Sequence, residues 1–310
     1  MGAHFPVVRL LACVPLMLLF AVRSVEAAIP AGERDALIAL YASTVGDAWA
    51  NNTNWCVEAC PPAGQPVFND PGTECTWAGI GCDGAGTHVV SIVMFRNNMN
   101  GPLPSSLSAL TALQTIDLDN DGLLGPLPDL SGLTALQILD LHQNHIDGPM
   151  PPLAGLASLQ TVRVFGNRIS GPLPDLSGLP QLAAFLASSN DFSGSIPGFA
   201  GLPALEEFDV EGNVLTGPIP DLSTLVSLRA FRVGHNRLSG SVPAFPGDTG
   251  GPPSSSLCPN PLDTTPGPND AGWDAQTGHT PWWATPYAGN LCDDLFTDAF
   301  DAAGARRPTD

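Results

Sequence analysis

The sequence contains no lysine: its basic residues are eleven arginines, set against 30 Asp and Glu residues, and the formal net charge is −19. A chain this acidic repels nucleic-acid phosphates and anionic membrane surfaces, and it attracts basic partners. We therefore expect no nucleic-acid binding. A large net charge also keeps exported proteins soluble, so charge by itself does not locate a binding site.

The sequence also lacks the local motifs of common enzyme classes. It contains no nucleophile motif, no phosphate-binding loop and no cofactor fingerprint. These absences exclude the enzyme classes that such motifs mark. We expect a protein with no enzymatic activity, no catalytic residues and no cofactor.

A long apolar run occurs once, at the N-terminus. It covers residues 10–22 behind Arg9, and the small-residue sequence Val25-Glu26-Ala27 follows. This order is typical of a secretory signal peptide. We predict a signal peptide over residues 1–27 and a secreted, extracellular protein, or a periplasmic or surface protein if the source is bacterial. No later segment is long and apolar enough to predict a membrane span.

Cysteine is sparse, but after export its number is even. Seven cysteines are present, and removal of the signal peptide takes away Cys13. An even number in an exported chain favours disulfides, and no grouping of Cys and His has the ligand spacing of a zinc site. We therefore expect disulfides and no bound metal. The remaining cysteines are Cys56, Cys60, Cys75, Cys82, Cys258 and Cys292.

Glycine and proline are abundant, with 33 and 32 residues, because one turn recurs along the chain. A Gly-x-apolar-Pro turn occurs seven times; the first interval between its glycines is 24 residues and the next five are 23. A constant period indicates a solenoid in which each repeat packs against its neighbours. The turns begin at Gly101, Gly125, Gly148, Gly171, Gly194, Gly217 and Gly240.

Each repeat carries further signals in the same phase. An Asn, replaced once by Asp121, stands four residues before the turn glycine, and its amide can satisfy backbone groups inside the coil. Alternating apolar pairs such as Leu139 and Leu141 predict a short strand with these side chains turned inward. The Leu-x-x-Leu spacing, as at Leu133 and Leu136, suits a 3₁₀ or irregular segment behind the sheet.

These signals together resemble the leucine-rich repeat, specifically the plant-type extracellular subclass, whose turn reads Gly-x-Ile/Leu-Pro. The resemblance covers residues 88–243. It implies an α/β right-handed solenoid of about seven repeats, with a parallel sheet on the concave face and disulfide-stapled caps. It also implies a secreted recognition protein, similar in plan to polygalacturonase-inhibiting proteins and receptor ectodomains. The 23-residue units lack one residue after the turn proline, so we expect a tighter convex side there.

Residues 28–87 are predicted to form the N-terminal cap. Apolar spacing over residues 33–44 predicts an amphipathic helix. The segment Cys75-Thr-Trp77-Ala-Gly79-Ile-Gly-Cys82 resembles the Cys-x-Trp-x-Gly-Val-x-Cys motif of N-terminal caps in this family. The resemblance implies a disulfide between the two cysteines of this motif, and Cys56 with Cys60 is then the remaining local pair. We expect the tryptophans of the cap to pack over the first coil.

Residues 244–310 are predicted to hold the C-terminal cap and a tail. The segment 257–262 resembles the start of the family's C-terminal cap, in which Cys258 would pair with Cys292. Aromatic residues lie between these cysteines and are expected to cover the last coil. The alternative is a carbohydrate-stacking platform. These aromatics are Trp282, Trp283 and Tyr287.

The outward positions of the predicted strands are the natural binding surface of a solenoid, because packing does not need them. Carboxylates are frequent there, with arginine, histidine and phenylalanine between them. An acidic face with aromatic and arginine anchors suits an extracellular protein partner that carries a basic patch. The candidate partner-binding residues are Asp117, Asp119, Asp140, His142, Arg163, Phe165, Glu207, Asp209, Glu211 and Arg232.

The residues of the same face also suggest other functions. Clustered carboxylates such as Asp117, Asp119 and Asp140 are the kind of ligand that calcium prefers. Paired carboxylates also serve glycosidases, but an open face lacks the desolvated cleft that such enzymes need. Binding of a polysaccharide or cell-surface glycan, with Phe95 and Phe165 as stacking residues, is the alternative to a protein partner. Salt would weaken a charge-driven protein contact and spare a glycan contact.

Overall fold

The computed structural model describes residues 28–57, 66–246 and 255–283. The described chain is a solenoid of stacked parallel strands with few helices, which confirms the expected leucine-rich-repeat fold. Outside the described residues lie the predicted signal peptide, Cys60, Tyr287 and Cys292.

Each repeat contributes two short strands, one where apolar and polar residues alternate and one through the turn glycine. The helices of the described residues are α1 (Ala31–Ser43) and α2 (Asp270–Thr277). Short 3₁₀ helices occur at Gly46–Ala48, Glu74–Thr76 and Ser105–Ala109. The strands are β1 (Ile80–Cys82), β2 (Val89–Val93), β3 (Asn100–Gly101), β4 (Thr115–Asp117), β5 (Gly122–Gly125), β6 (Ile138–Asp140), β7 (His145–Pro149), β8 (Thr161–Arg163), β9 (Arg168–Pro172), β10 (Ala184–Leu186), β11 (Asp191–Gly194), β12 (Glu207–Asp209), β13 (Val214–Gly217), β14 (Ala230–Arg232) and β15 (Arg237–Leu238).

Sheet A consists of eight strands: β1 followed by the even-numbered strands in sequence order. The repeat strands are parallel and in register, so that Ile116 pairs with Leu139 and Leu139 with Val162. Strand β1 joins β2 antiparallel, with a register shift between Gly81 and Cys82. Equivalent residues of successive repeats therefore form straight columns along the sheet, because the repeat length is constant.

Sheet B consists of the seven odd-numbered strands from β3 to β15, again parallel. Its strands lead into the Gly-x-apolar-Pro segment and, apart from β15, end at its glycine or at the residue after it. The sequence pattern predicted only a turn there. One apolar side chain per repeat, such as Ile146 or Ile169, is buried beneath sheet B. The turn glycines Gly148 and Gly171 have φ values of 74° and 79°, which other residues rarely adopt.

The asparagine column forms a hydrogen-bond ladder inside the coil. Asn144 Nδ2 donates to the carbonyl oxygens of Leu118 and Leu141 at 2.9 and 3.1 Å. Its Oδ1 accepts from the N–H of Leu123 at 3.0 Å. Each ladder residue thereby joins its own repeat to the preceding one. The amides satisfy backbone groups inside the stack, as the sequence predicted, but the coil they reach is the preceding one and not the next. The pattern recurs at Asn167, Asn190, Asn213 and Asn236.

The side of the coil behind the sheets differs between the two repeat lengths. The 24-residue unit forms the 3₁₀ helix at Ser105–Ala109, whereas the described 23-residue units make turns there. In one of these turns the Ser131 N–H donates to Asp129 Oδ1 at 2.9 Å. One residue less thus replaces the helix with a tighter, side-chain-capped turn. The same cap joins Asp175 with Ser177 and Asp221 with Ser223.

The N-terminal cap is an aromatic cluster covered by α1. The helix begins after Pro30, two residues before the predicted span, and buries Leu37 and Leu40. The expected disulfide between Cys75 and Cys82 is present. Buried aromatic side chains confirm that the cap tryptophans pack over the first coil. The cluster contains Tyr41, Trp49, Trp55, Phe68 and Trp77, with ring centroids 4.6 to 6.1 Å apart.

Two buried carboxylates stabilise this cap. One connects it to the first repeat, and the other connects two segments within the cap. Glu33 Oε2 accepts from the Val89 N–H at 2.7 Å, and Oε1 lies 2.7 Å from His88 Nδ1. Glu74 forms an ion pair with Arg34 of α1. Both carboxylates are at most 3% exposed, so their hydrogen-bond partners are needed to offset desolvation.

The C-terminal end adds one incomplete coil. Asn260 extends the asparagine ladder, since its Nδ2 donates to the Val233 carbonyl oxygen and its Oδ1 accepts from the Leu238 N–H, each at 2.8 Å. Ser256 forms a parallel bridge with Arg232 at the edge of sheet A. The described cysteines on the two flanks, Cys56 and Cys258, are also disulfide-bonded.

Aromatic residues close the C-terminal end. Trp273 of α2 is fully buried, and its ring centroid lies 6.0 Å from that of Phe231. Trp282 is 3% exposed and donates from Nε1 to Asp270 Oδ1 at 3.1 Å. These residues cover the last coil, and the burial of Trp282 removes it as a carbohydrate-stacking surface.

Candidate recognition face

The outward positions of sheet A and the residues two positions beyond its strands form one surface, called here the recognition face. In-register pairing places the first set in a single column along the sheet. Nine of the ten candidate residues lie in two columns of this face, and the tenth, Glu207, lies on the same strand as Asp209, two residues before it. The first column is Val93, Asp117, Asp140, Arg163, Leu186, Asp209 and Arg232, and the second is Phe95, Asp119, His142, Phe165, Ser188, Glu211 and Gly234.

His142 is the centre of the first charged group. Its Nδ1 lies 2.6 Å from Asp140 Oδ1, and its Nε2 lies 3.1 Å from Asp119 Oδ2. Its ring stacks on Phe165, with centroids 4.4 Å apart and planes 21° apart. Three neighbouring strands therefore hold one imidazole ring in a fixed position.

Asp140 contacts two other residues of this group. It is 7% exposed, and its Oδ2 lies 3.2 Å from Arg163 Nη1. The sequence predicted a solvated carboxylate at this position. Because its charge is shared between Arg163 and His142, Asp140 orients these two side chains and presents little carboxylate surface of its own.

Asp117 differs from its neighbours, since it forms no ion pair among the described residues. Its Oδ1 is shielded from water and receives no hydrogen bond. Burial, followed by the charges of Asp140 and Asp119, raises the pKa of the Asp117 carboxyl. Asp117 is thus the carboxylate of this group that has no ion-pair partner among the described residues.

The second charged group lies three strands further along. Arg232 forms an ion pair with Glu207, and its Nη1 lies 3.6 Å from Asp209 Oδ2. Glu211 lies 3.3 Å from His235 Nδ1 and accepts from Ser256 Oγ at 2.7 Å.

Burial raises the pKa of Asp209, whereas the His235 hydrogen bond lowers the pKa of Glu211. His235 was not predicted as a site residue; its place directly before a ladder asparagine was the available signal.

The recognition face is therefore less negative than its carboxylates alone suggest. Asp140, Asp209 and most of their neighbours have Arg or His partners on adjacent strands. Such pairing fixes the rotamers of the paired side chains and holds their charges in defined positions. Asp117 is the exception to this pairing.

The first repeat adds apolar surface that the candidate list omitted. Val93 is 37% and Phe95 54% exposed. They line a cavity of about 200 Å³. The sequence could have indicated Val93 and Phe95, because both occupy outward positions of the repeat columns. The other lining residues are Asn51, Ala78, Gly79, Met94 and Asn97.

No group of three or more His, Cys, Asp or Glu side chains in the described part of the chain has a geometry that could hold a metal ion. The carboxylates near Asp117 belong to this part of the chain, so the structure gives no support for calcium binding there. Within the same residues, no helix has the length and apolar character needed to cross a membrane.

No protein-family model matches the sequence. The chain is similar to the leucine-rich-repeat ectodomain of the plant membrane receptor kinase GASSHO1/SCHENGEN3 from Arabidopsis thaliana, solved in complex with Casparian strip integrity factor 2. The TM-score is 0.56 and the identity 28%; the match covers 61% of this chain and 23% of that one. This chain therefore spans less than a third of the receptor ectodomain.

A plant ice-binding protein shares the fold as well. Its TM-score is 0.53 and its identity 22%, over 76% of this chain and 81% of that one. At this identity the likeness concerns the fold alone. The repeat signature, the stacked sheets and the likeness to the receptor ectodomain agree on one class: the chain is a leucine-rich-repeat solenoid, similar to the ectodomains of plant receptors.

Proposed function

We propose that this protein is a non-enzymatic recognition protein that binds a protein partner through the recognition face. The observation that carries the proposal is the fixed charge arrangement around His142, which Asp119 and Asp140 contact on both ring nitrogens. A surface whose side chains are already ordered loses less entropy when it binds. Stacking on Phe165 orders the same ring further.

The same contacts argue against acid–base catalysis at this place. A histidine that serves as a general base needs one ring nitrogen within hydrogen-bond reach of the substrate. Both nitrogens of His142 are engaged by carboxylates. The face is also open, so it offers little of the desolvation on which carboxylate catalysis depends.

A partner with a basic surface patch fits the excess of carboxylates on this face. Complementary charge steers encounter and selects partners more than it adds affinity. The similar receptor ectodomain was solved with a bound factor, which supports recognition as the use of this scaffold. Export belongs to the same proposal: residues 1–27 would be removed, leaving an N-terminal cap (28–87), repeats (88–243) and a C-terminal region (244–310).

Affinity capture from the extracellular medium of the source organism, followed by mass spectrometry, tests the proposal. The test variant carries Asp119→Asn, Glu207→Gln and Glu211→Gln, which removes three charges from the face with little change of shape. The matched control carries the same number of neutralisations on the turns behind the sheets. Asparagine can accept the same serine N–H there. The control changes are Asp129→Asn, Asp175→Asn and Asp221→Asn.

We expect the wild type and the control to capture the same protein and the test variant to lose it. N-terminal sequencing of the exported chain checks cleavage after Ala27. Retention of the partner by the test variant would remove the face from the proposal. Loss by both variants would indicate a response to net charge only. Capture of polysaccharide that persists at high salt would favour the glycan alternative.

A further inference from the structure

The first repeat of the recognition face combines a small cavity, lined by both polar and apolar residues, with an anion. Val93 and Phe95 line the cavity of about 200 Å³, which is smaller than the roughly 300 Å³ from which small-molecule sites begin. A space of this size suits one aliphatic side chain. Phe95 is more than half exposed and forms one wall.

Asp117 lies beside this cavity, since it pairs with Val93 across β2 and β4. The equivalent residue of the second charged group, Asp209, has Arg232 as a cationic neighbour. Asp117 has no such neighbour among the described ion pairs, and its Oδ1 lacks any hydrogen bond. Of the carboxylates on the face, Asp117 therefore gains most from a cation that a partner supplies.

We propose that the cavity and Asp117 together anchor an extended segment of the protein partner with the pattern apolar-x-Arg. The apolar side chain fills the cavity, and the guanidinium lies on the Asp117 carboxylate. This inference rests on the proposed function and adds the part of the partner that is recognised first. Arginine suits the position better than lysine because a guanidinium is more weakly hydrated than an ammonium, so it loses less when it leaves water beside a half-buried carboxylate.

The spacing of the two subsites fits such a segment. In an extended chain, residues i and i+2 point to the same side and lie about 6.6 Å apart. Neighbouring strands of the sheet are about 4.8 Å apart, so a peptide crossing them places its third side chain over β4 when its first is at β2.

A nearby cation opposes the binding of a basic segment. Arg96 directly follows Phe95 and is exposed. Its charge repels any basic side chain that approaches this part of the face. Removal of this cation is therefore expected to strengthen the binding of a basic segment.

The experiment is a nuclear magnetic resonance titration of the ¹⁵N-labelled protein with acetyl-Leu-Gly-Arg-amide. We expect saturable shifts of the backbone amides of Val93, Phe95 and Asp117. Acetyl-Leu-Gly-Glu-amide and acetyl-Gly-Gly-Arg-amide are the matched peptides, and each is expected to bind at least about fivefold more weakly, the effect of losing about 1 kcal/mol.

Protein variants test the two subsites separately. Asp117→Asn and Phe95→Ser should each weaken acetyl-Leu-Gly-Arg-amide about fivefold, and Arg96→Gln should tighten it. The matched control is Asp129→Asn, which neutralises a carboxylate on a turn behind the sheets and should leave binding unchanged. Intact spectra of each variant show that it folds.

Several results would overturn this anchor. They are equal binding of the Arg and Glu peptides, shifts confined to the amides of residues 207–211, and an equal effect of Asp117→Asn and Asp129→Asn. Saturable shifts at Phe95 with a β-1,4-glucan hexasaccharide but not with the peptides would make it a sugar-stacking site. If the peptide fails while the three-charge variant still loses the captured partner, only the anchor is wrong and the proposed function stands.

Discussion

Asp121 is the one ladder residue that is not asparagine, and its contacts show what the amide contributes elsewhere. Its Oδ1 accepts from the N–H groups of Asn97 and Met99 at 2.8 and 2.9 Å. Its Oδ2 is buried and receives no hydrogen bond. At Asn144 the equivalent atom is Nδ2, which donates to two carbonyl oxygens. Burial raises the pKa of Asp121 from 3.8 to about 6.

Replacing Asp121 by asparagine should stabilise the protein at neutral pH. Because the folded state raises the pKa of Asp121, its protonated form favours folding, and this contribution is full below pH 3.8 and lost as the pH rises through about 6. Asp121→Asn keeps the acceptor and adds a donor without charge. We expect a gain of about 1–3 kcal/mol in the free energy of unfolding at pH 7.5 and almost none at pH 3.5.

Urea unfolding at the two pH values measures this effect. The reverse change, Asn144→Asp, is the matched control and should destabilise the protein more at pH 7.5 than at pH 3.5. A gain from Asp121→Asn that did not depend on pH would contradict the assignment of the effect to the Asp121 carboxyl.

Individual residues of the recognition face were predicted with uneven success. Alternation placed Asp117 and Asp209 correctly on the outward column, because a strand repeats with a period of two. The alternation could not show that Asp140 is buried. Its burial depends on contacts with Arg163 and His142, and the rotamers of these two side chains cannot be deduced from the sequence pattern.

At the scale of elements, the N-terminal cap depends on a charge pair between α1 and the segment that carries the disulfide. Glu74 is 1% exposed, and Arg34 supplies its ion pair. Arg34 Nη2 also donates to the Asn69 carbonyl oxygen at 2.5 Å. Loss of the arginine would leave a carboxylate without a cation in a buried place, which is costly.

We expect Arg34→Met to lower the free energy of unfolding by about 3–5 kcal/mol, measured by urea denaturation. The double variant Arg34→Met with Glu74→Gln should lose clearly less, because the buried charge is then absent. If the double variant lost the sum of the two single effects, the pair would not be coupled and this account of the cap would be wrong.

Sheet B was not predicted, and the reason lies in its sequence. Its strands contain a glycine with positive φ, and some continue into proline, as at Gly148 and Pro149. Both residue types are depleted in strands. The strands form because stacking brings identical segments side by side, and one buried residue per segment, such as Ile146, holds them in place.

The whole molecule is a one-dimensional stack in which each repeat contacts only its neighbours. Loss of an interaction therefore affects stability differently in a central repeat and in a terminal one. Asn190 joins central repeats: its Nδ2 donates to the carbonyl oxygens of Val164 and Ala187, and its Oδ1 accepts from the Ile169 N–H. Asn260 makes equivalent bonds in the incomplete last coil. In both cases removal of the amide leaves buried backbone groups without partners.

Asn190→Ala should therefore lower the free energy of unfolding of the repeats by about 2–4 kcal/mol. Asn260→Ala should loosen the last coil and leave the earlier repeats nearly unchanged. Hydrogen exchange resolved by segment, together with urea unfolding, separates these effects. Equal loss of protection along the chain in both variants would show that the stack unfolds only as a single unit.

The Cys75–Cys82 disulfide was implied by the family resemblance of its motif. The sequence by itself determined the repeat period, the order of the repeat strands in sheet A and the asparagine column. These features depend on short-range periodicity, and a period held over seven repeats brings equivalent residues into contact whatever their neighbours are. Its acidity and outward column also indicated which face to consider.

Only the tertiary structure decided how the charges on that face are used. Whether a carboxylate is buried, paired or left open depends on side chains from adjacent coils, about 23 residues away in the sequence, and on the rotamers that they adopt. Packing between coils therefore buried Asp140, left Asp117 without a cation and opened the cavity beside Phe95. It also created sheet B, because backbone pairing between coils exists only once the coils are stacked.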